Sequence, residues 1–260
     1  MRPLALITGA SRGIGRAVAR ALAPTHRLLL AGRDEAALAA LVAELAPHLA
    51  PHGPAHALTC ELADPAERAR FLSEATGLCA RLGAPVQVLV NNAGAAVSAP
   101  LHRTSDLAWA QALELNLGAP FALTRALVPG MVTAGWGRVI NIASTAALKG
   151  YAYTAAYSAS KAGLVGLTRA LAVELASKGV TVNAVCPGFT DTDIVARAAE
   201  NIQAKTGRSQ DDARRTLAGF SPQGRLRSPE EVAGLVAYLA SPAADGITGQ
   251  ALAIDGGETA

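Results

Sequence analysis

Residues 4–15 read Leu4-Ala5-Leu6-Ile7-Thr8-Gly9-Ala10-Ser11-Arg12-Gly13-Ile14-Gly15. An aliphatic run long enough for one buried strand leads into three glycines. Ile14, Val18, Ala21 and Leu22 then recur at the spacing of one helix face. Glycines between a strand and a helix allow a tight turn and let backbone approach a pyrophosphate, whose charge the helix N-terminus faces. The spacing is G-x-x-x-G-x-G rather than G-x-G-x-x-G, and no G-K-S/T follows, which excludes a Walker loop. Placed after the first strand, the loop reads as a dinucleotide site, with Gly9, Ser11, Arg12, Gly13, Ile14 and Gly15 around the phosphates.

Outward from this loop, short aliphatic runs alternate with helical patterns. Strands are expected at 4–7, 28–31, 57–60, 86–90, 139–142, 180–185 and 251–254, apolar on both faces as strands covered by helices on two sides must be. Leu38, Leu41, Val42 and Leu45 form the stripe of a helix packed on a sheet. Asp64-Pro65-Ala66-Glu67 and Ser228-Pro229-Glu230-Glu231 each read as a helix start with proline at the first position and a capping-box glutamate. Strand–helix alternation implies one α/β domain over 1–260, a doubly wound parallel sheet of about seven strands with helices on both faces. The polar stretch at about 193–227 is expected to be a lid-like helical insertion.

Composition narrows the classes. Of 260 residues, 51% are hydrophobic, enough to bury a core without disulfide or metal staples. The net charge of +3 is small and scattered, so neither a nucleic-acid nor a membrane partner is expected. Cys60, Cys79 and Cys186 lie far apart and read as buried free thiols. The first strand begins at once, leaving no room for a signal peptide, and a cytoplasmic protein is expected. His48, His52 and His56 are evenly spaced, but Pro47, Pro51 and Pro54 should break any helix aligning them, so no metal site is expected.

The end of the second strand selects the dinucleotide. An acid there holds the ribose hydroxyls of NAD, whereas arginine accommodates the 2′-phosphate of NADP. Here Gly32-Arg33-Asp34 follows the strand, so Arg33 with Arg12 can flank a phosphate dianion, and Asp34 is placed to cap the next helix. NADP(H) is expected over NAD(H).

Tyr157 and Lys161 are four apart on a helical pattern, hence on one face, and Ser144 follows the fifth strand at the carboxyl edge where such sheets hold ligands. A phenol is a poor proton donor near neutrality, and a neighbouring ammonium is expected to lower its pKa.

These residues resemble the short-chain dehydrogenases/reductases. The likeness spans essentially the whole chain: Thr8-Gly9-x-x-x-Gly13-x-Gly15, Asn91-Asn92-Ala93-Gly94, Asn116, Ser144, Tyr157-x-x-x-Lys161, Pro187-Gly188 and Ile247-Thr248-Gly249 with Asp255-Gly256-Gly257. The resemblance implies a Rossmann-type fold and a catalytic set of Asn116, Ser144, Tyr157 and Lys161. Tyr157 would exchange the proton, Lys161 would lower its pKa and hold the nicotinamide ribose, Ser144 would orient the substrate oxygen, and Asn116 would support a relay water. Asn91, Ala93 and Gly94 would line the adenosine side, and Pro187, Gly188, Thr190 and Thr192 would cover the nicotinamide. Where the family commonly has an adenine-contacting aspartate this chain has Glu61, so that contact falls to Glu61 or to the Leu62 backbone. The helices at 106–132 and 151–177 would pair between subunits of a homotetramer.

The same resemblance points to reduction of a 3-oxoacyl thioester or related β-keto compound. Hydroxybutyrate dehydrogenases place a histidine and a lysine where this chain has Ala146 and Thr154, and Lys149 sits elsewhere in the loop. Without a clear anchor for a buried carboxylate, a neutral thioester fits better. Of the two basic positions at which ketoacyl reductases dock acyl carrier protein, this chain has Gly135 and Lys178, which leaves coenzyme A and a carrier protein both open. An alcohol or 3-hydroxy acid dehydrogenase working oxidatively, and a non-catalytic NADP sensor, are the competing readings.

Overall fold

Side-chain parity along the strands divides the core into two layers. In β1 (Leu4–Thr8), Ala5 and Ile7 face one layer while Leu4 and Leu6 face the other. In β2 (Arg27–Gly32), Leu28 and Leu30 oppose Leu29 and Ala31 in the same way. Two apolar faces on one strand require helices on both sides, and the chain supplies them. The computed structural model describes residues 2–49 and 53–260.

The remaining strands are β3 (His56–Thr59), β4 (Val86–Asn91), β5 (Gly137–Ile142), β6 (Val180–Pro187) and β7 (Ala251–Ile254). They form one seven-stranded sheet in the order β3-β2-β1-β4-β5-β6-β7, parallel at every pairing. The order reverses between β1 and β4, so the crevice beyond their carboxyl ends is where such a sheet binds its ligand. On one side lie α1 (Gly13–Leu22), α2 (Glu35–Leu49) and α9 (Pro229–Leu239). On the other lie α3 (Pro65–Leu82), α5 (Ala119–Thr133) and α6 (Ala155–Leu175). α4 (Asp106–Leu113) precedes α5, and α7 (Asp193–Thr206) and α8 (Gln210–Ala218) pack on each other through Val195, Ala199, Ala213 and Leu217.

Several expectations need correction. Strands β1, β5 and β6 are buried throughout, but β3 and β7 expose part of their length, because the sheet has edges there. Ser228 and Glu231 form the full capping box, whereas Asp64 caps α3 alone. Its intended partner Glu67 accepts the Glu61 N–H instead (2.9 Å). The stretch 106–132 is not one helix: a single π-helical turn, Glu114–Gly118, separates α4 from α5. Pro47 does not end α2 but lies inside its last turn, where His48 follows it; Pro51 and His52 lie outside the described residues. Among the described residues no cluster of histidine, cysteine or carboxylate could hold a metal ion, and no helix is long and apolar enough to cross a membrane.

Candidate active site

Thr8 and Asn92 join the carboxyl ends of β1 and β4. The Thr8 hydroxyl accepts the N–H groups of Asn92 and Ala93 (3.0 Å each), and the Asn92 amide donates to the carbonyls of Thr8 (2.9 Å) and Gly9 (3.1 Å). Gly9 and Gly13 have φ of +64° and +52°, which L side chains rarely adopt. A Cβ on Gly15 would lie 2.2 Å from the Gly9 carbonyl oxygen, so the third glycine is needed for packing. α1 then starts without a side-chain cap and without an acid in its first turn. Its leading N–H groups and positive dipole end are therefore left for an anion, and the cradle fits a pyrophosphate.

Arg12 and Arg33 flank that cradle and are largely exposed, but each already meets an acid. Arg12 pairs with Asp193 at the start of α7 (2.9 Å), and Arg33 with Glu61 (3.0 Å). Exposed pairs of this kind contribute roughly 0–1 kcal/mol, small against a charge-assisted contact to phosphate. Asp34 accepts the Ala37 N–H (2.9 Å) and opens α2. The Leu62 carbonyl is taken by Arg68 (2.8 Å), and Glu61 also accepts the Ala63 N–H (3.2 Å). Asn91 can reach the adenosine side only through its backbone. It is 2% exposed and turned into the sheet, where its amide donates to Asn141 (2.8 Å) and Thr124 (3.3 Å).

The π-helical turn gives Asn116 its place. Fully buried, it accepts the Ala95 N–H (3.1 Å) and donates to the Ala95 carbonyl (3.0 Å) and to Ser160 Oγ (3.2 Å). It thereby ties the segment after β4 to α6. Gly94 lies between them: a Cβ there would sit 2.8 Å from Asn116 Oδ1 and 3.4 Å from Lys161 Nζ. Ser144 ends β5 by capping the short turn Thr145–Ala147 through the Ala146 N–H (3.1 Å), and its hydroxyl acts to lower the pKa of the Tyr157 phenol. Lys161 Nζ donates to the Ile142 carbonyl (2.7 Å) and lies 5.8 Å from the Tyr157 ring centre. Ser144, Tyr157, Lys161 and Asn116 thus converge beyond the ends of β4 and β5.

The electrostatics differ from the expectation. Burial pushes the Tyr157 phenol above its ordinary value, opposed by the hydrogen bond from Ser144. Lys161 does not hold it down, because its ammonium is engaged by the Ile142 carbonyl and is itself pushed down to about 8 by burial. Beneath it Cys186 is buried completely and its thiol is pushed up to about 11, which makes it inert.

A sequence model of the short chain dehydrogenase family matches residues 3–203. The chain belongs to the short-chain dehydrogenase/reductase family. It is 40% identical over 257 residues to a 3-oxoacyl-(acyl-carrier-protein) reductase of Synechocystis sp., covering 98% of this chain and 96% of that protein. It is 37% identical over 254 residues to the 3-oxoacyl-(acyl-carrier-protein) reductase of Escherichia coli, covering 98% and 96%. Among solved structures it superposes on a variant of actinorhodin polyketide ketoreductase with NADPH at a TM-score of 0.91 and 38% identity, covering 99% and 97%. This short-chain dehydrogenase/reductase is an NAD(P)-dependent oxidoreductase acting on CH–OH and C=O groups.

In this dehydrogenase/reductase the segment after β6 folds over the cradle. Gly188 donates to the Ile254 carbonyl (3.0 Å), Thr190 Oγ1 to the Gly188 carbonyl (3.0 Å) and Thr192 Oγ1 to the Thr190 carbonyl (3.2 Å). The Thr192 methyl lies 3.1 Å from where a Cβ on Gly13 would sit, so 187–192 and the phosphate loop share one wall. Against this segment packs an aromatic cluster whose Tyr151 was not singled out in the sequence. Tyr151 packs edge-on against Phe189 (5.8 Å) and Phe220 (5.7 Å), accepts from Thr145 (2.7 Å), and donates to Glu258. Ser160 was missed too; its spacing three after Tyr157 was the available signal, since its hydroxyl donates to the Tyr157 carbonyl (2.8 Å).

Proposed function

We infer that this chain is an NADP(H)-dependent ketoreductase that reduces a 3-oxoacyl thioester, or a closely related β-keto compound, to the 3-hydroxy product. The observation that carries this reading is the convergence of Ser144, Tyr157 and the buried Lys161 at the edge of a cradle with two arginines at its rim. Gly9, Ser11, Arg12, Gly13, Ile14 and Gly15 would hold the pyrophosphate, Arg33 the 2′-phosphate, and Lys161 and Gly94 the nicotinamide ribose. Bound NADPH supplies a hydride to the carbonyl carbon. Ser144 donates a hydrogen bond to the carbonyl oxygen, and Tyr157 gives that oxygen its phenolic proton as negative charge develops there. Burial keeps the phenol protonated across the working range, the state a proton donor needs. Asn116, bonded to Ala95 and Ser160, positions the Lys161 helix against the segment that carries Gly94.

The carrier of the thioester is coenzyme A or acyl carrier protein; exposed Lys178 supports the latter, and Gly135 supplies no second cation. The assembly we propose is a homotetramer in the cytoplasm, for which the exposed apolar residues of α4, α5 and α6 speak. The test is NADPH oxidation with acetoacetyl-CoA, a carrier-protein mimic and free acetoacetate. Both thioesters should turn over far faster than the free acid. Tyr157→Phe should lower kcat by more than the ~10²–10⁴ of simple acid–base catalysis, because it also loses the contact that orients the carbonyl. NADPH binding should survive in that variant; near-parental kcat would sink the mechanism.

A further inference from the structure

The aromatic cluster around Tyr151 carries an ion pair that neither proton transfer nor dinucleotide binding uses. Residues 144–160 include one basic side chain, Lys149. Its backbone N–H donates to the Thr145 carbonyl (3.0 Å), which puts it one turn beyond Ser144. Its Nζ lies 3.4 Å from Glu258 Oε1, 3.5 Å from the Glu258 carbonyl oxygen, and 5.1 Å from the Tyr151 ring centre. Lys149 is the cation of the substrate loop that could receive an anionic substrate.

Glu258 is what keeps it occupied. Gly256 and Gly257, with φ of +68° and +90°, turn the chain end back over β6. The Glu258 side chain is then only 1% exposed, with Tyr151 donating to Oε1 and no hydrogen-bond partner for Oε2 among the described residues. A carboxylate buried this deeply with one oxygen unsatisfied is costly, and its compensating charge is Lys149. A substrate carboxylate would need that same ammonium to offset its own desolvation.

We propose that Glu258 determines substrate class by sequestering Lys149, so that the pocket refuses free 3-oxo acids and admits neutral β-keto thioesters. This rests on the ketoreductase reading and names the residue that enforces its substrate preference. Glu258→Gln keeps the shape and the hydrogen bond from Tyr151 but removes the charge, leaving Lys149 free to meet a carboxylate.

The experiment measures kcat/KM with NADPH for acetoacetate and for acetoacetyl-N-acetylcysteamine, which carry the same acyl group with and without a charge. In Glu258→Gln the ratio of acid to thioester should rise about tenfold or more, mainly through a lower KM for the acid, as expected for one new charge-assisted contact. Adding Lys149→Met to that variant should cancel the rise. If Glu258 only fastens the chain end, both substrates suffer alike; an unchanged ratio in a variant that still binds NADPH overturns the proposal. Lys149→Met alone keeps the question answerable should Glu258→Gln fail to fold. Its ratio should match the parent, and a tenfold loss of acid turnover would show that Lys149 already serves acids and would overturn it. The parent by itself tests the thioester reading, and the change between parent and variant tests Glu258, so the two can fail separately.

Discussion

Tyr157 and Lys161 are moved in opposite directions by the same burial, and this assigns the limbs of a pH profile. The phenol is raised, so it stays protonated well above neutrality, whereas the ammonium is lost through about 8. kcat/KM for reduction should therefore be flat on the acid side of that value and fall as pH rises through it, since it reports groups of the free enzyme. Lys161→Arg, charged at every accessible pH, should be slower but lose this limb; a limb that persists would belong to another group. Arg33 gives a second prediction at this scale. Its pair with Glu61 is exposed and weak, so on the proposed reading it is left to meet the 2′-phosphate. Arg33→Ala should lower the preference for NADPH over NADH by roughly tenfold, equivalent to one charge-assisted hydrogen bond. Kinetics with both dinucleotides decide this, and an unchanged preference would shift the burden to Arg12. Tyr157 and Lys161 were readable from sequence because four residues along a helix fix their relation locally. Tyr151 and Glu258 were not, because 107 residues separate them and two left-handed glycines create the contact.

The elements differ in how much of their construction is local. Strands β1, β5 and β6 were legible because burial on both faces leaves mostly aliphatic residues, with Arg138 of β5, paired to Asp245, the large charged exception. α9 was legible because its capping box needs only Ser228 and Glu231. The π-helical turn was not, since one extra residue in a helix carries no residue-type signature of its own. Its visible trace was Asn116, an awkward residue for a helix interior, which the turn accommodates between Ala95 and Ser160. The turn also needs α6 close by: a Cβ on Gly163 would stand 2.8 Å from Leu117 Cδ2. Gly163→Val should therefore push α6 from the turn, destabilise by about 1–3 kcal/mol and depress kcat, because Tyr157 and Lys161 ride on α6. Gly234→Ala in α9, where a Cβ meets nothing within 4 Å, should instead stabilise by about 0.5–1 kcal/mol with kcat unchanged. Thermal denaturation with initial rates separates the two, and a Gly163→Val enzyme of parental Tm and kcat would refute the packing argument.

At the scale of the whole molecule, part of the exposed apolar surface lies on the helices next to the active site. Leu107 and Trp109 of α4, Phe121 of α5 and Val173 of α6 are 67%, 42%, 44% and 85% exposed. Between these helices runs a groove of about 630 Å³ whose lining is mostly apolar, with Leu113, Leu117, Phe121 and Leu167, and includes Glu114. On the proposed assembly, a second copy of the same face would cover these residues by two-fold symmetry. Pairing these helices would also brace the π-helical turn, linking assembly to the position of Asn116. The protein should scatter light as a tetramer of its 26.3 kDa chain at micromolar concentration. Phe121→Asp places an unpaired charge in the groove, which dimerisation would have to desolvate, so it should yield smaller species. Those species should also lose turnover, because α6 is then braced from one side only. A monomeric parent would refute the assembly, and a Phe121→Asp protein of parental mass would move the interface away from this groove.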